Sequence, residues 1–135
     1  MAEVFVDAVA WIALINSRDS LHSQATAVLR ELRQTKAGLV TTEFVLLEIA
    51  NALSAPDFRG KVSVFVDGLR NSNDLAIIGA SSELFEAGFD LYRARPDKEW
   101  SLVDCVSFVV MESRNIDKAF TEDHHFEQAG FSVLL

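Results

Sequence analysis

The sequence predicts an α/β domain with a mostly parallel sheet, and two observations predict it. Short runs rich in β-branched and aromatic residues alternate with stretches whose apolar residues recur at helical spacing. Strands joined by helical crossovers pair in parallel. The size also fits. A chain of 135 residues suits one domain, residues 1–135, which buries roughly two-thirds of its unfolded surface. A hydrophobic content of 50 % fills such a core and argues against disorder.

The elements follow in order. "EVFV" (Glu3 to Val6) is a first strand ending at Asp7, and "AWIALIN" a short helix. Asp19 or Ser20 caps the next helix, in which Ala25, Val28, Leu29 and Leu32 recur at helical spacing. After Gly38, "LVT" is a second strand, and Thr41 or Thr42 caps a helix running to about Leu53. Pro56 breaks the chain, and Asp57 caps a helix carrying Val62, Phe65, Val66 and Leu69. "NSND" is a turn and "LAIIG" a third strand. Ser81 or Ser82 opens a helix with Leu84, Phe85, Phe89 and Tyr92, which ends in the basic loop "RARPDKEW". A helix from about Ser101 to Ser113, the strand "KAF", the short helix "EDHHFEQA" and a last strand "FSVLL" complete the chain.

A net charge of −8 argues against a binder that holds nucleic acid by a basic surface alone. The excess of acid serves solubility, or some carboxylates converge and hold cations; composition does not choose. One cysteine, Cys105, allows no internal disulfide and fits a reducing cytosol. The start carries Glu3 and Asp7 and no basic segment, so a signal peptide is not expected. No apolar run approaches the roughly 20 residues that span a bilayer, so no membrane segment is expected.

Four acids stand out. From Leu102 to Met111 only Asp104 and Ser107 interrupt the apolar residues, and an unpaired buried carboxylate is costly. "SLVD" also fits a capping box, in which Ser101 and Asp104 satisfy each other's backbone N–H. Asp7 ends the first strand and is either the cap of the next helix or a group at the carboxyl edge of the sheet, where ligands bind. Glu48 shares a helix face with Phe44 and Asn51, between Leu47 and Ala50, and reads as a polar slot in a mostly buried helix. Asp123 follows the fourth strand and is a first-turn acid favoured by the helix dipole, with Thr121 as the cap. If the four converge without basic partners they repel one another, and a hard divalent cation such as Mg²⁺ or Mn²⁺ resolves that repulsion.

Other chemistries fare worse. His124 and His125 are adjacent, so on a helix they point about 100° apart, and no cysteine stands at useful spacing for zinc. An aspartyl nucleophile of the haloacid-dehalogenase type wants a second Asp at position 9, which is Val. No Gly-rich phosphate loop occurs. Arg93, Arg95 and Lys98 precede the Asp104 helix; they suit a helix C-terminus, or contacts to phosphate.

The stretches "VFVDAVAWIAL", "LVTTEFVLLEIANAL" and "EWSLVDCVSFVVMESRNIDKAFTEDHHFEQAGFSVL", and more loosely "DSLHSQA", resemble the PIN domain, the fold of metal-dependent ribonucleases that includes the VapC-type toxins. The third is the most specific: Ser-x-x-Asp-Cys, then Thr-x-Asp-x-x-Phe, then Gly-Phe. The resemblance implies a three-layer α/β/α fold with about five strands. It implies hydrolysis of RNA phosphodiester bonds with one or two Mg²⁺ or Mn²⁺ ions held by Asp7, Glu48, Asp104 and Asp123. Ser101, Thr121 and Asn51 match assisting polar residues. It also implies a cytoplasmic protein, frequently a homodimer, neutralised by a small antitoxin, whose Arg- or Lys-bearing tail the charge of −8 would suit. One position departs: family members usually carry Ser or Thr shortly after the first Asp, where this chain has Ala8 and Val9. A weakened module that only binds RNA or protein is therefore the alternative.

Overall fold

Five strands form one sheet in a computed structural model that describes residues 2–135: β1 (Glu3–Val6), β2 (Gly38–Thr42), β3 (Leu75–Ile78), β4 (Lys118–Phe120) and β5 (Ser132–Val133). Their order is β3-β2-β1-β4-β5, and every pairing is parallel. Seven helices complete a three-layer α/β/α arrangement: α1 (Ala8–Ile15), α2 (His22–Gln34), α3 (Glu43–Ala52), α4 (Pro56–Arg70), α5 (Ser82–Ala94), α6 (Leu102–Ser113) and α7 (His124–Gln128). Among the described residues no helix is long and apolar enough to cross a membrane.

The central strand explains the continuous apolar run "VFV". A parallel strand covered on both faces has no polar side, and Phe5 and Val6 are fully buried with Phe120 of β4 beside them. Trp11 of α1, Ile49 of α3 and Met111 of α6 close the core over the sheet. Cys105 is one of these core residues, fully buried.

From β1 the chain winds outward through β2 to β3, then returns to lay β4 and β5 on the other side of β1. Such a reversal of strand order opens a crevice at the carboxyl ends of the two central strands. Val6 pairs with Phe120 there, and the backbone N–H of Asp7 donates to the Phe120 carbonyl at 3.2 Å. The residues that follow β1 and β4 are thus neighbours in space, although more than a hundred positions separate them in the chain.

Three details differ from the sequence reading. The helix α2 starts at His22 behind Leu21, without a side-chain cap; Asp19 instead accepts the Leu21 N–H at 2.9 Å and closes the preceding turn. Pro56 begins α4 rather than ending at a break before Asp57, because a first-turn proline loses no helical hydrogen bond. The strand β5 is only two residues long, being an edge strand paired with β4 alone, although Leu134 and Leu135 still donate to the Ala119 and Thr121 carbonyls.

Candidate metal centre

Asp7 sits at the end of β1, 3 % exposed. It occupies the N-cap position of α1 but makes no side-chain capping bond. Its Oδ2 accepts the Thr121 hydroxyl at 3.1 Å, whereas Oδ1 is buried with no hydrogen-bond partner. Burial, then the charges of Asp104 and Glu48, push its pKa up to about 7. The capping reading of Asp7 therefore fails in its side chain, and a lone buried carboxylate oxygen remains to be satisfied.

Asp104 comes from α6 and does cap. Ser101 Oγ accepts the Asp104 N–H at 3.0 Å, and Asp104 Oδ2 accepts the Ser101 N–H at 3.2 Å. The box fixes the first turn of α6, so the carboxylate is held by its own backbone as well as by the apolar residues around it. Burial raises its pKa most, and the charge of Asp123 adds to this against the lowering effect of the Ser101 N–H and His125.

Glu48 comes from α3, which Thr42 caps by accepting the Val45 N–H at 3.1 Å. Burial, then Asp104 and Asp123, raise its pKa. The slot expected around it is absent. Leu47 is 60 % exposed and Ala50 is exposed too, so only Val45, Leu46 and Ile49 anchor the helix. Alternation of apolar and polar residues cannot tell a buried flank from an exposed apolar one. Asn51 is exposed as well and joins no hydrogen bond of the site among the described residues.

Asp123, not Thr121, is the N-cap of α7; its Oδ1 accepts the His125 N–H at 2.9 Å. Thr121 is fully buried one step earlier, accepts the Asp123 N–H at 3.1 Å and donates to Asp7. One hydroxyl thus ties the ends of β1 and β4 together.

Two strand ends and two helices bring the four acids together: Asp104 and Glu48 raise the pKa of Asp7, Asp104 and Asp123 that of Glu48, and Asp123 that of Asp104. Among the described residues no Lys or Arg pairs with any of them; their ion-pair partners are His124 and His125 alone. The basic side chains nearby are engaged elsewhere. Arg93 pairs with Asp90 and lies over Phe89, Arg95 makes a two-pronged bond to Asp97 at 3.0 Å, and Lys98 lies 6.0 Å from the Trp100 ring. With Tyr92 and Ser101 these three line a groove of about 790 Å³ at the entrance to α6. An all-oxygen set of ionisable donors with one buried orphan oxygen fits a hard divalent cation.

The sequence shows no zinc pattern at His125, which adjoins His124 and has no cysteine at useful spacing, but the structure sets its ring beside two of the acids. Its Nδ1 lies 3.2 Å from Asp123 Oδ1 and 3.5 Å from Asp104 Oδ2. Asp123, His124 and His125 each offer a donor atom, all within 4.8 Å of one another. The available signal was its place two residues after a capping acid, which folds ring and carboxylate onto one turn.

The family model of the PIN domain matches residues 4–132. The chain belongs to the PIN domain family. This PIN domain is 28 % identical over 128 residues to the 23S rRNA-specific endonuclease VapC20 of Mycobacterium tuberculosis, covering 95 % of each chain, in both the CDC 1551 and the H37Rv strains. It is also similar to the crystal structure of Mycobacterium tuberculosis VapC20, described as a sarcin–ricin loop cleaving toxin. The TM-score is 0.82, with 28 % identity and 96 % of each chain covered.

Proposed function

We propose that this PIN domain is a divalent-cation-dependent endoribonuclease that hydrolyses RNA phosphodiester bonds, and that it is the toxin of a toxin–antitoxin pair. The observation that carries the reading is the convergence of Asp7, Glu48, Asp104 and Asp123 without a Lys or Arg partner, one of them with a buried orphan oxygen. The similarity to a 23S rRNA-specific endonuclease supports it.

In this reading the four acids hold Mg²⁺ or Mn²⁺. When bound, the cation supplies Lewis acidity, activating water and neutralising charge on the phosphoryl group. The chain's own residues set the geometry. Thr121 turns Oδ2 of Asp7 and leaves Oδ1 for the cation, and Ser101 holds Asp104. Ala8 and Val9 offer Asp7 no hydroxyl, and the one it receives comes from Thr121, just after β4. Arg93, Arg95 and Lys98 contact flanking phosphates once RNA competes with their present partners. The partner is a small antitoxin with a basic segment, which the charge of −8 attracts, and the protein works in the cytoplasm as a homodimer.

The test is cleavage of an RNA carrying the sarcin–ricin loop, with Mn²⁺ or Mg²⁺ and with chelator. The expected result is cleavage only with cation, falling at least about a hundredfold in Asp104→Asn while circular dichroism shows an unchanged fold. Wild-type cleavage by Asp104→Asn would overturn the assignment.

A further inference from the structure

We propose that His125 is a nitrogen ligand of the cation held by Asp104 and Asp123, and that the site for this reason takes a first-row transition cation such as Mn²⁺ in preference to Mg²⁺. The inference rests on the cation-dependent reading above and adds a donor that the four acids do not include.

Three features single out this ring. Its Nδ1 faces two carboxylates from different elements: Asp123 Oδ1 at the start of α7 at 3.2 Å, and Asp104 Oδ2 in the first turn of α6 at 3.5 Å. Neither contact has the in-line geometry of an N–H···O hydrogen bond. Cis ligands on an octahedral cation with bonds of about 2.1–2.2 Å stand about 3 Å apart. Both His125 separations lie within about half an ångström of that spacing, so a small side-chain movement lets the ring share an ion with either carboxylate.

The ring is also fixed and sheltered. Its side chain is 20 % exposed, against 70 % for His124, whose one carboxylate contact is to Asp123 at 3.9 Å. The Asp123 carboxylate accepts the backbone N–H of His125, so ligand and ring share one turn. Phe126, the next residue, is fully buried against Phe5 and Phe108 and pins that turn to the core.

A second observation points to a ligand beside Asp104. Asp7 Oδ1, buried and unpartnered, belongs to the same acid cluster. An imidazole among carboxylates shifts preference away from Mg²⁺, which takes oxygen donors and keeps its waters, towards transition cations that accept nitrogen. Mn²⁺ suits the mixture because the remaining donors are carboxylates.

The test is pulsed electron paramagnetic resonance of the full chain loaded with one equivalent of Mn²⁺. Modulation from a directly bound ¹⁴N is expected in the wild type. It should change on [¹⁵N]histidine labelling, vanish in His125→Asn and His125→Gln, and persist in His124→Asn. Calorimetry should show the preference for Mn²⁺ over Mg²⁺ falling about tenfold or more in the His125 variants. Labelling combined with His124→Asn separates the two adjacent rings without altering His125, so a His125 variant that fails to fold leaves the test intact. Bound Mn²⁺ without nitrogen modulation, or modulation that survives in the His125 variants, would overturn the inference while the cation-dependent reading stands. Failure of Mn²⁺ to bind at all would overturn both.

Discussion

Thr121 donates its hydroxyl to Asp7 Oδ2 at 3.1 Å while accepting the Asp123 N–H at 3.1 Å. A single buried side chain therefore couples the end of β1 to the start of α7. Thr121→Val keeps the shape and removes both bonds. The Asp123 N–H is left unpaired, which costs about 1–3 kcal/mol, and Asp7 loses the hydroxyl that favours its charged form. Thermal or denaturant melts should show that loss, and Mn²⁺ titration should show affinity down about tenfold to a hundredfold. Thr121→Ser should restore most of both.

Asp7 makes the cation-free protein sensitive to pH. Between 3.8 and about 7 the folded chain keeps the Asp7 proton and the unfolded chain has lost it. The unfolded state then binds fewer protons, so stability falls as pH rises through this window. The full effect is about 4 kcal/mol for a carboxyl shifted this far. In chelator, Asp7→Asn should be more stable than wild type at pH 8, by about 2–4 kcal/mol, with the gap closing towards pH 4. Parallel urea melts at several pH values read it directly. A gap independent of pH would mean that Asp7 carries no strained charge.

These pairings mark how far the sequence could be read. The alternating pattern was sufficient for five strands, their parallel pairing and the capping box of Ser101 and Asp104, since each depends on neighbours in the chain. The Asp7–Thr121 bond joins positions 114 apart. It depends on β4 lying beside β1, an order that no local pattern carries. The sequence accordingly assigned Thr121 to the cap of α7, the partner within its own stretch. Leu47 shows the same limit from the other side. An apolar residue beside Glu48 suggests burial, but whether a helix flank is covered depends on what packs there, and the described residues leave Leu47 60 % exposed.

Gly88 sets the distance between α5 and the helix that carries Asp104. A Cβ at this position would lie 2.4 Å from Val106 Cγ2 and 3.2 Å from the Val106 backbone. Val106 is β-branched and fixed in a helix, so it has little room to turn aside. Gly88→Ala gains up to about 1 kcal/mol of helix preference but forces the helices apart, and overpacking typically costs about 1–3 kcal/mol. Backbone as well as side chain stands in the way, so the net effect is a loss, measurable as a lower denaturation midpoint. The displacement falls two residues from Asp104, and Mn²⁺ affinity should drop with it.

Ser101 and Asp104 offer a way to separate folding from cation binding. Ser101→Ala removes the acceptor for the Asp104 N–H, a helix-cap loss of about 1 kcal/mol, but leaves the carboxylate charge in place. Asp104→Asn keeps an oxygen that can accept the Ser101 N–H and removes the charge that raises the pKa of Asp7 and Glu48. The first variant should therefore melt earlier than wild type in chelator and still be stabilised by saturating Mn²⁺. The second should melt near wild type, or above it at pH 8, and gain nothing from Mn²⁺, whereas a ligand at a hundred times its Kd stabilises by about 2.7 kcal/mol. Opposite responses in the two variants would show that one capping box serves two separable ends. A Mn²⁺-induced shift of wild-type size in Asp104→Asn would remove Asp104 from the cation's ligands.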